Sequence, residues 1–71
     1  MRISYDPAAD ALSIVFRETT VTTQDIAEGI SAEYDEGGLL VGLEILDATA
    51  RMGGVEALQS VLLERVGPAA A

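Results

Sequence analysis

The sequence contains no cysteine, histidine, lysine or tryptophan among its 71 residues. Without cysteine no disulfide can form, and without cysteine and histidine the usual ligands of a zinc site are missing. Serine-based nucleophilic catalysis also lacks its usual base, because neither histidine nor lysine is available. The sequence therefore predicts no enzyme activity, no catalytic residues, no cofactor and no bound metal.

The chain is short, and only Tyr5, Phe16 and Tyr34 are aromatic. Residues 1–71 make one domain with a mainly aliphatic core, and a chain of this size buries only about 60% of the surface that its unfolded form exposes. Small domains usually gain stability from disulfides, a metal or self-association. Since disulfides and the common metal ligands are missing, we expect a homo-oligomer, most simply a dimer.

The charge is strongly one-sided, with 12 acidic residues, 4 arginines and a net charge of −8. Such a chain repels phosphate backbones, so direct nucleic-acid binding is not expected. The charge attracts a small basic protein, or it serves only solubility. No apolar run approaches the roughly 20 residues that span a bilayer, and no leader pattern follows Met1. A cytoplasmic location is therefore expected, and the use of arginine without lysine is typical of a GC-rich prokaryotic genome.

Alternating apolar and polar residues predict four to five antiparallel strands in residues 1–47. Residues 2–5 and 11–16 form a hairpin around a turn at Asp6, Pro7 and Asp10, where proline fixes φ and the aspartates cap their own turn. The path of residues 17–28 stays open, although its β-branched residues favour an extended conformation.

A second hairpin is predicted over residues 30–46, with its turn at Gly37 and Gly38. Its second strand is apolar on both sides, since Leu40 and Leu46 face away from the main apolar stripe. Such a strand is usually central in a sheet or covered on its second face.

Residues 53–67 are predicted to form one amphipathic helix after a short turn that Asp47 caps. Its apolar stripe recurs at helical spacing and consists of Val55, Leu58, Leu62 and Val66. Gly67 and Pro68 end the helix, and residues 68–71 are a frayed tail. The fold class is thus α+β, an antiparallel β-meander followed by one C-terminal amphipathic helix, which packs on its own sheet or on a second copy.

Two motifs carry a family resemblance. The first is Tyr5-Asp6-Pro7-Ala8-Ala9-Asp10-Ala11-Leu12, and the second runs from Tyr34 to Ala48 through Val41-Gly42-Leu43-Glu44-Ile45-Leu46-Asp47. Together they resemble the prokaryotic family domain of unknown function 2283 over residues 1–48. The resemblance implies a small β-rich domain without a known activity. Some relatives are encoded beside small toxin-like proteins, which implies an antitoxin-like partner role. The segment from Gly53 onward lies outside the resemblance.

Two groups of carboxylates are the places where chemistry is conceivable. Asp6 and Asp10 offer oxygen ligands for a hard cation such as Ca²⁺, although turn capping explains them more simply. Glu33 and Glu44, if they lie opposite each other, form a carboxylate pair of the acid–base type or a solvated face. Glu44 alternatively forms an ion pair with Arg2, Arg17 or Arg51.

The leading hypothesis is a binding or assembly module, dimeric and with a small basic protein as a further partner. The alternatives are a small carboxylate-based metal-dependent enzyme and a purely structural domain without a ligand. The candidate self-association residues are Leu40, Leu46, Val55, Leu58, Leu62 and Val66. The turn and motif residues are Tyr5, Asp6, Pro7, Asp10, Gly37, Gly38, Glu44 and Asp47.

Overall fold

The computed structural model describes residues 1–68, which form one antiparallel sheet followed by two short helical segments. The strands are β1 (Arg2–Asp6), β2 (Ala11–Val15), β3 (Thr22–Ala27), β4 (Ile30–Tyr34) and β5 (Leu40–Ile45). An α-helix, α1 (Ala48–Met52), and a 3₁₀-helix (Val55–Leu58) follow. The predicted α+β class is confirmed, and residues 69–71 of the predicted tail lie outside the described residues.

The strands lie in the order β1-β2-β5-β4-β3. A hairpin of β1 and β2 and a meander of β3, β4 and β5 are joined because β5 pairs with β2. The strand β5, which the sequence predicted to be central or covered on its second face, is the central strand. The undecided stretch 17–28 contains β3, an edge strand, in agreement with its β-branched composition.

The register divides the sheet into two faces, since paired residues share a face and successive residues alternate. One face, called the apolar face below, carries Ile3, Tyr5, Leu12, Ile14, Ile30, Ala32, Tyr34, Val41, Leu43 and Ile45. At its β3 edge the same face carries the uncharged polar residues Thr22 and Gln24. The other, called the polar face, carries every charged residue of the strands, namely Arg2, Asp6, Asp25, Glu33 and Glu44. The apolar face therefore has no charge of its own.

A bulge changes one assignment in β5. Glu33 pairs with Gly42, but Tyr34 pairs with Leu40, so the register shifts by one residue at Val41. Leu40 consequently lies beside Tyr34 at the apolar face, and the prediction that it points to the opposite face is wrong. Leu46 does lie beside the polar face, where it lines a cavity with Glu44.

The predicted helix over residues 53–67 is wrong beyond its first turn. Only Val55–Leu58 is helical, as a 3₁₀-helix without a side-chain cap, and residues 59–68 contain no helix or strand. An isolated helix of about 12 residues is marginal in water unless its apolar stripe packs against something. Here the stripe is not covered, since Val55, Leu62 and Val66 remain exposed.

The short turn expected after β5 is the helix α1, but its cap differs from the prediction. Asp47 occupies the N-cap position in a left-handed conformation, with φ of 51°, and makes no side-chain cap bond. Gly53 ends the helix at φ of 88°. The glycine pair Gly53-Gly54 thus separates α1 from the 3₁₀-helix rather than the sheet from a long helix.

Candidate functional site

At one end of the sheet, Asp10 connects the first hairpin to α1. The Tyr5 hydroxyl donates to Oδ1 of Asp10 at 2.6 Å. The backbone N–H and the hydroxyl of Thr49 also donate to this carboxylate, at 3.1 and 2.9 Å. The backbone N–H of Ala48 donates to the Asp10 carbonyl oxygen at 2.9 Å. A residue from the β1–β2 turn therefore satisfies the exposed N–H groups at the start of α1.

The prediction for the two turn aspartates is half right. Asp6 caps its own turn, because its Oδ1 accepts the Ala8 N–H at 3.0 Å. Asp10 instead adopts a left-handed conformation, with φ of 50°, and turns its carboxylate to Thr49. The two carboxylates thus serve different partners, and they do not converge on a common ligand.

Arg51 connects α1 to the β3–β4 turn. Its Nε donates to the carbonyl oxygen of Leu46 at 2.8 Å, and its guanidinium also donates to the carbonyl oxygen of Glu28. Gly29 leaves the space for this, since a Cβ at that position would collide with the Arg51 guanidinium. With Asp10 on one side and Arg51 on the other, α1 is tied to both hairpin turns at this end of the sheet.

Hydrogen bonding changes the acidity of this cluster. The bond from the Tyr5 hydroxyl, followed by the Thr49 N–H, lowers the pKa of Asp10 below its usual value of 3.8. The same bond raises the pKa of Tyr5 above its usual 10.0. The two directions agree, because a charged acceptor and a neutral donor strengthen each other.

At the opposite end of the sheet, Asp35 organises the β4–β5 turn. Its Oδ1 accepts the N–H groups of Gly37 and Leu39, each at 2.9 Å, and Oδ2 pairs with the Arg17 guanidinium. The Leu39 N–H, with the Arg17 side chain and the Gly37 N–H, lowers the pKa of Asp35. Arg17, Asp35 and Gly37 line an open cleft of about 460 Å³. Since Arg17 is already paired, the cleft presents no free cation to a ligand.

The polar face carries one row of hydrogen-bonding side chains across all five strands. In register the row reads Ser4, Ser13, Glu44, Ser31 and Asp25. The Ser31 hydroxyl donates to Oδ1 of Asp25 at 2.9 Å. Glu44 lies at the middle of the row, on the central strand β5, with Ser13 on one side and Ser31 on the other.

Glu33 and Glu44 do not face each other, contrary to the predicted carboxylate pair. Glu44 lies opposite Ser31, and Glu33 lies opposite Gly42 on the same face. A Cβ at position 42 would lie 2.7 Å from Oε1 of Glu33, so the Glu33 side chain extends over the glycine. The two carboxylates are therefore diagonal neighbours on the sheet and are not placed to share a proton.

Glu44 also lacks the ion pair that was considered for it. Arg2 pairs with Glu18 at 2.8 Å, Arg17 pairs with Asp35, and Arg51 binds backbone carbonyls. Within residues 1–68, Glu44 forms no salt bridge. It borders a cavity of about 380 Å³ on the polar face. In the same part of the chain, no three carboxylates stand close enough together to hold a metal ion.

The apolar face is the largest feature without a partner. Among residues 1–68, the buried apolar residues are Leu12, Ala32, Val41 and Ala48. Larger side chains remain at the surface, including Ile3 at 43% exposure and Tyr5 at 36%. A sheet with one covered face normally buries its apolar side chains against a second layer. Here the described residues supply no such layer.

The chain exposes more surface than a compact monomer of its mass. The accessible surface of the chain is 5426 Å². A folded monomer of this mass should expose about 4,200 Å². The radius of gyration is 13.6 Å, against about 11 Å for a compact chain of this length. Part of the difference comes from the extended residues after the 3₁₀-helix. The excess therefore belongs to the extended segment and the open sheet face together.

Comparison with known proteins supports the resemblance carried by the two motifs. The model of the family described as protein of unknown function (DUF2283) matches residues 2–48, more than half of the chain. This chain belongs to the DUF2283 family. No curated protein and no solved structure matches it. Neither helical segment of residues 1–68 has the length and apolar character needed to cross a membrane.

The DUF2283 match covers all five strands and ends at the start of α1. Several of its motif residues meet at the junction described above, since Tyr5 and Asp10 from the first motif contact the segment that follows Asp47. The motif glycine Gly42 makes room for Glu33. In this chain, these positions hold the sheet and α1 together.

Sequence reasoning missed Thr49 and the true partners of Arg51. Thr49 carried a signal, because a hydroxyl residue near the start of a helix commonly forms local caps. Its partner Asp10 is 39 residues away, and only the pairing of β2 with β5 brings the two together. Ser13 and Ser31, which flank Glu44, were visible as polar positions in alternating strands but were not connected to it.

Proposed function

We propose that this DUF2283 chain is an assembly module that forms a homodimer by packing the apolar faces of two sheets together. The observation that carries the proposal is a sheet face of about ten residues without charge and without a covering layer. A second copy supplies the missing layer, as in a two-sheet sandwich.

The charge distribution supports the same arrangement. Each chain has a net charge of −8, so two copies repel each other at long range. The charged residues of the strands, however, all lie on the polar face, which would point outward in the dimer. We therefore expect added salt to strengthen association by screening the repulsion while it leaves the apolar contact unchanged.

Ile3→Asp tests the dimer. Ile3 lies on the apolar face of the edge strand β1 and is 43% exposed, so its replacement leaves the monomer folded. In a two-fold dimer the substitution occurs twice and places two unpaired carboxylates in the interface. We expect the dissociation constant, measured by sedimentation, to rise by at least about 100-fold.

Ser4→Asp is the matched control. It adds the same charge to the neighbouring residue of the same strand, which lies on the polar face. The proposal expects a dimer close to wild type for Ser4→Asp. Equal effects of the two substitutions would contradict the apolar face as the interface.

A second candidate function is binding of a small basic protein at the polar face, the antitoxin-like role that the family resemblance suggested. The supporting observation is that this face carries four strand carboxylates but only Arg2 as a cation, and Arg2 is paired with Glu18. The complementary partner is a surface rich in arginine or lysine. Such a partner and the dimer are compatible, because they use opposite faces.

An oligo-arginine peptide tests the polar face. The double substitution Asp25→Asn with Glu44→Gln removes two charges from it, and we expect peptide affinity in low salt to fall by about 10-fold. Glu56→Gln with Glu64→Gln removes the same charge outside the sheet and should have a smaller effect. If both doubles weaken binding equally, only net charge matters, and the face is not a specific site.

The remaining alternatives are a carboxylate-based metal-dependent enzyme and a structural domain without a ligand. The absence of enzymatic activity, the cytoplasmic location and the prokaryotic origin stay predictions from the sequence.

A further inference from the structure

The segment after α1 combines a helical sequence pattern with a mostly irregular, exposed conformation. Val55, Leu58, Leu62 and Val66 recur at the spacing of one helix stripe. Yet only the first turn is helical, and Leu62 and Val66 are 77% and 65% exposed. A segment that has a helical apolar stripe but does not form a helix on its own typically folds when another surface covers its apolar side.

The chain does not direct this segment onto its own sheet. The 3₁₀-helix packs against α1 and makes no comparable contact with any strand. The glycine pair at positions 53 and 54 has positive φ angles of 88° and 137°, so the chain changes direction between α1 and the segment. Beyond Leu58, the apolar side chains of Val61, Leu62, Leu63 and Val66 remain 60–77% exposed.

The dimensions of the segment fit the face of a sheet of this width. Twelve residues of α-helix, from Val55 to Val66, span about 18 Å. Five strands with four spacings of about 4.8 Å span about 19 Å. In a helix, Ser60 and Glu64 lie opposite the apolar stripe and Glu56 lies at its side, so the carboxylates stay in water. Arg65 lies next to the stripe, seven residues after Leu58, where its long side chain can extend from the edge of the contact into water.

We propose that residues 55–66 of each chain fold into an amphipathic helix on the apolar face of the second copy, so that helix formation and dimerisation are one event. The inference rests on the proposed dimer and names what covers part of its face. Each apolar face is then covered by two parts of the second copy, its helix and its sheet, which lie side by side. Both the exposed stripe and the open face are then explained by the same contact.

The first test compares helix content with mass. For the wild-type chain, far-ultraviolet circular dichroism and sedimentation are measured over the same concentration series. We expect the helical signal to rise in parallel with the dimer fraction. A dimer that forms without gain of helix would overturn the inference and leave the dimer intact. A monomer at every concentration would remove both, and a helical monomer would show that the segment folds on its own sheet.

Leu62→Asp provides the sharper test, with Ser60→Asp as its matched control. Both add one carboxylate to the same segment, but on opposite sides of the proposed helix. Because Leu62 is 77% exposed in the monomer, its replacement does not unfold the sheet. We expect Leu62→Asp to abolish the concentration-dependent helix and weaken the dimer at least about 10-fold, with Ser60→Asp within about 2-fold of wild type. Equal results for the pair would contradict the stripe as the contact.

A disulfide cross-link shows whether the helix packs on the sheet of its own chain or on that of the second copy. The native sequence has no cysteine, so single substitutions introduce the only thiols. A mixture of Leu62→Cys chains and Ile3→Cys chains should give a disulfide-linked heterodimer on mild oxidation. A chain that carries both substitutions and closes on itself at high dilution would instead place the helix on its own sheet and overturn the inference.

Discussion

Asp10→Ala is expected to cause the largest loss of stability among single polar substitutions in this chain. It removes the acceptor of the Tyr5 hydroxyl and of both Thr49 donors, and it leaves the start of α1 without its cap. It also places alanine in a left-handed conformation, with φ of 50°, which aspartate tolerates better. The measurement is the free energy of unfolding in urea, followed by far-ultraviolet circular dichroism.

Two controls separate these causes. Asp10→Asn keeps an oxygen acceptor and tolerates the left-handed conformation, so it should lose clearly less stability than Asp10→Ala. Asp6→Ala removes a carboxylate that caps only its own turn, through the Ala8 N–H, and should have a small effect. If Asp6→Ala matched Asp10→Ala, the link between the first hairpin and α1 would not be important for the fold.

The pH dependence follows from the same contacts. The pKa values of Asp10 and Asp35 lie below the ordinary 3.8 because the folded state donates hydrogen bonds to their ionised forms. Their contribution is fully present above pH 3.8 and is lost as the pH falls through the lower folded values. Tyr5 works in the other direction, since its raised pKa stabilises the fold below pH 10.0 and less above it. Asp10→Asn should therefore flatten the acid side of the stability curve.

Gly42→Ala is expected to destabilise the sheet by roughly 1–3 kcal/mol, although alanine is usually the better strand residue. The added Cβ would lie 2.7 Å from Oε1 of Glu33 and 3.2 Å from the carbonyl oxygen of Ile14. The Glu33 side chain can move away, but the carbonyl belongs to the β2–β5 pairing and yields only with the backbone. The loss of unfolded-state entropy offsets about 0.4–1 kcal/mol of this cost.

A double-substitution cycle identifies the contact responsible. Glu33→Ala combined with Gly42→Ala should recover the part of the loss due to the carboxylate and leave the part due to the carbonyl. Gly37→Ala is the control, because Gly37 lies in the exposed β4–β5 turn and a Cβ there would meet only Oδ1 of Asp35, at 3.4 Å. A neutral Gly42→Ala would show that the close packing over β5 is absent in solution.

Alternation along the chain was sufficient to predict β1, β2, β4 and β5, whereas the segment that contains β3 was left open. The large apolar residues of β1, β2 and β4 alternate with polar ones, and Gly37 and Gly38 mark the turn of the second hairpin. The order β1-β2-β5-β4-β3 was not predicted, because a local pattern does not specify which strand pairs with β2. The bulge at Val41, which places Leu40 on the apolar face, was not predicted from the sequence either.

The helix prediction failed because apolar periodicity shows only that a segment can form a helix when another surface covers its apolar side. The stripe from Val55 to Val66 has the right spacing, but the described part of the chain offers it no surface. Asp10 shows the same limitation at the scale of one side chain, since its main partner Thr49 becomes a neighbour only through the sheet. The sequence thus supported the local elements, while contacts between distant residues required the fold.

Sedimentation equilibrium of the wild-type chain, from micromolar to millimolar concentration and in low and high salt, distinguishes the dimer from a monomer. We expect reversible association from 7.4 kDa to twice that mass, stronger in high salt because the copies each carry a charge of −8. A single species of 7.4 kDa throughout the series would contradict it. The apolar face would then be stable in water without a second layer.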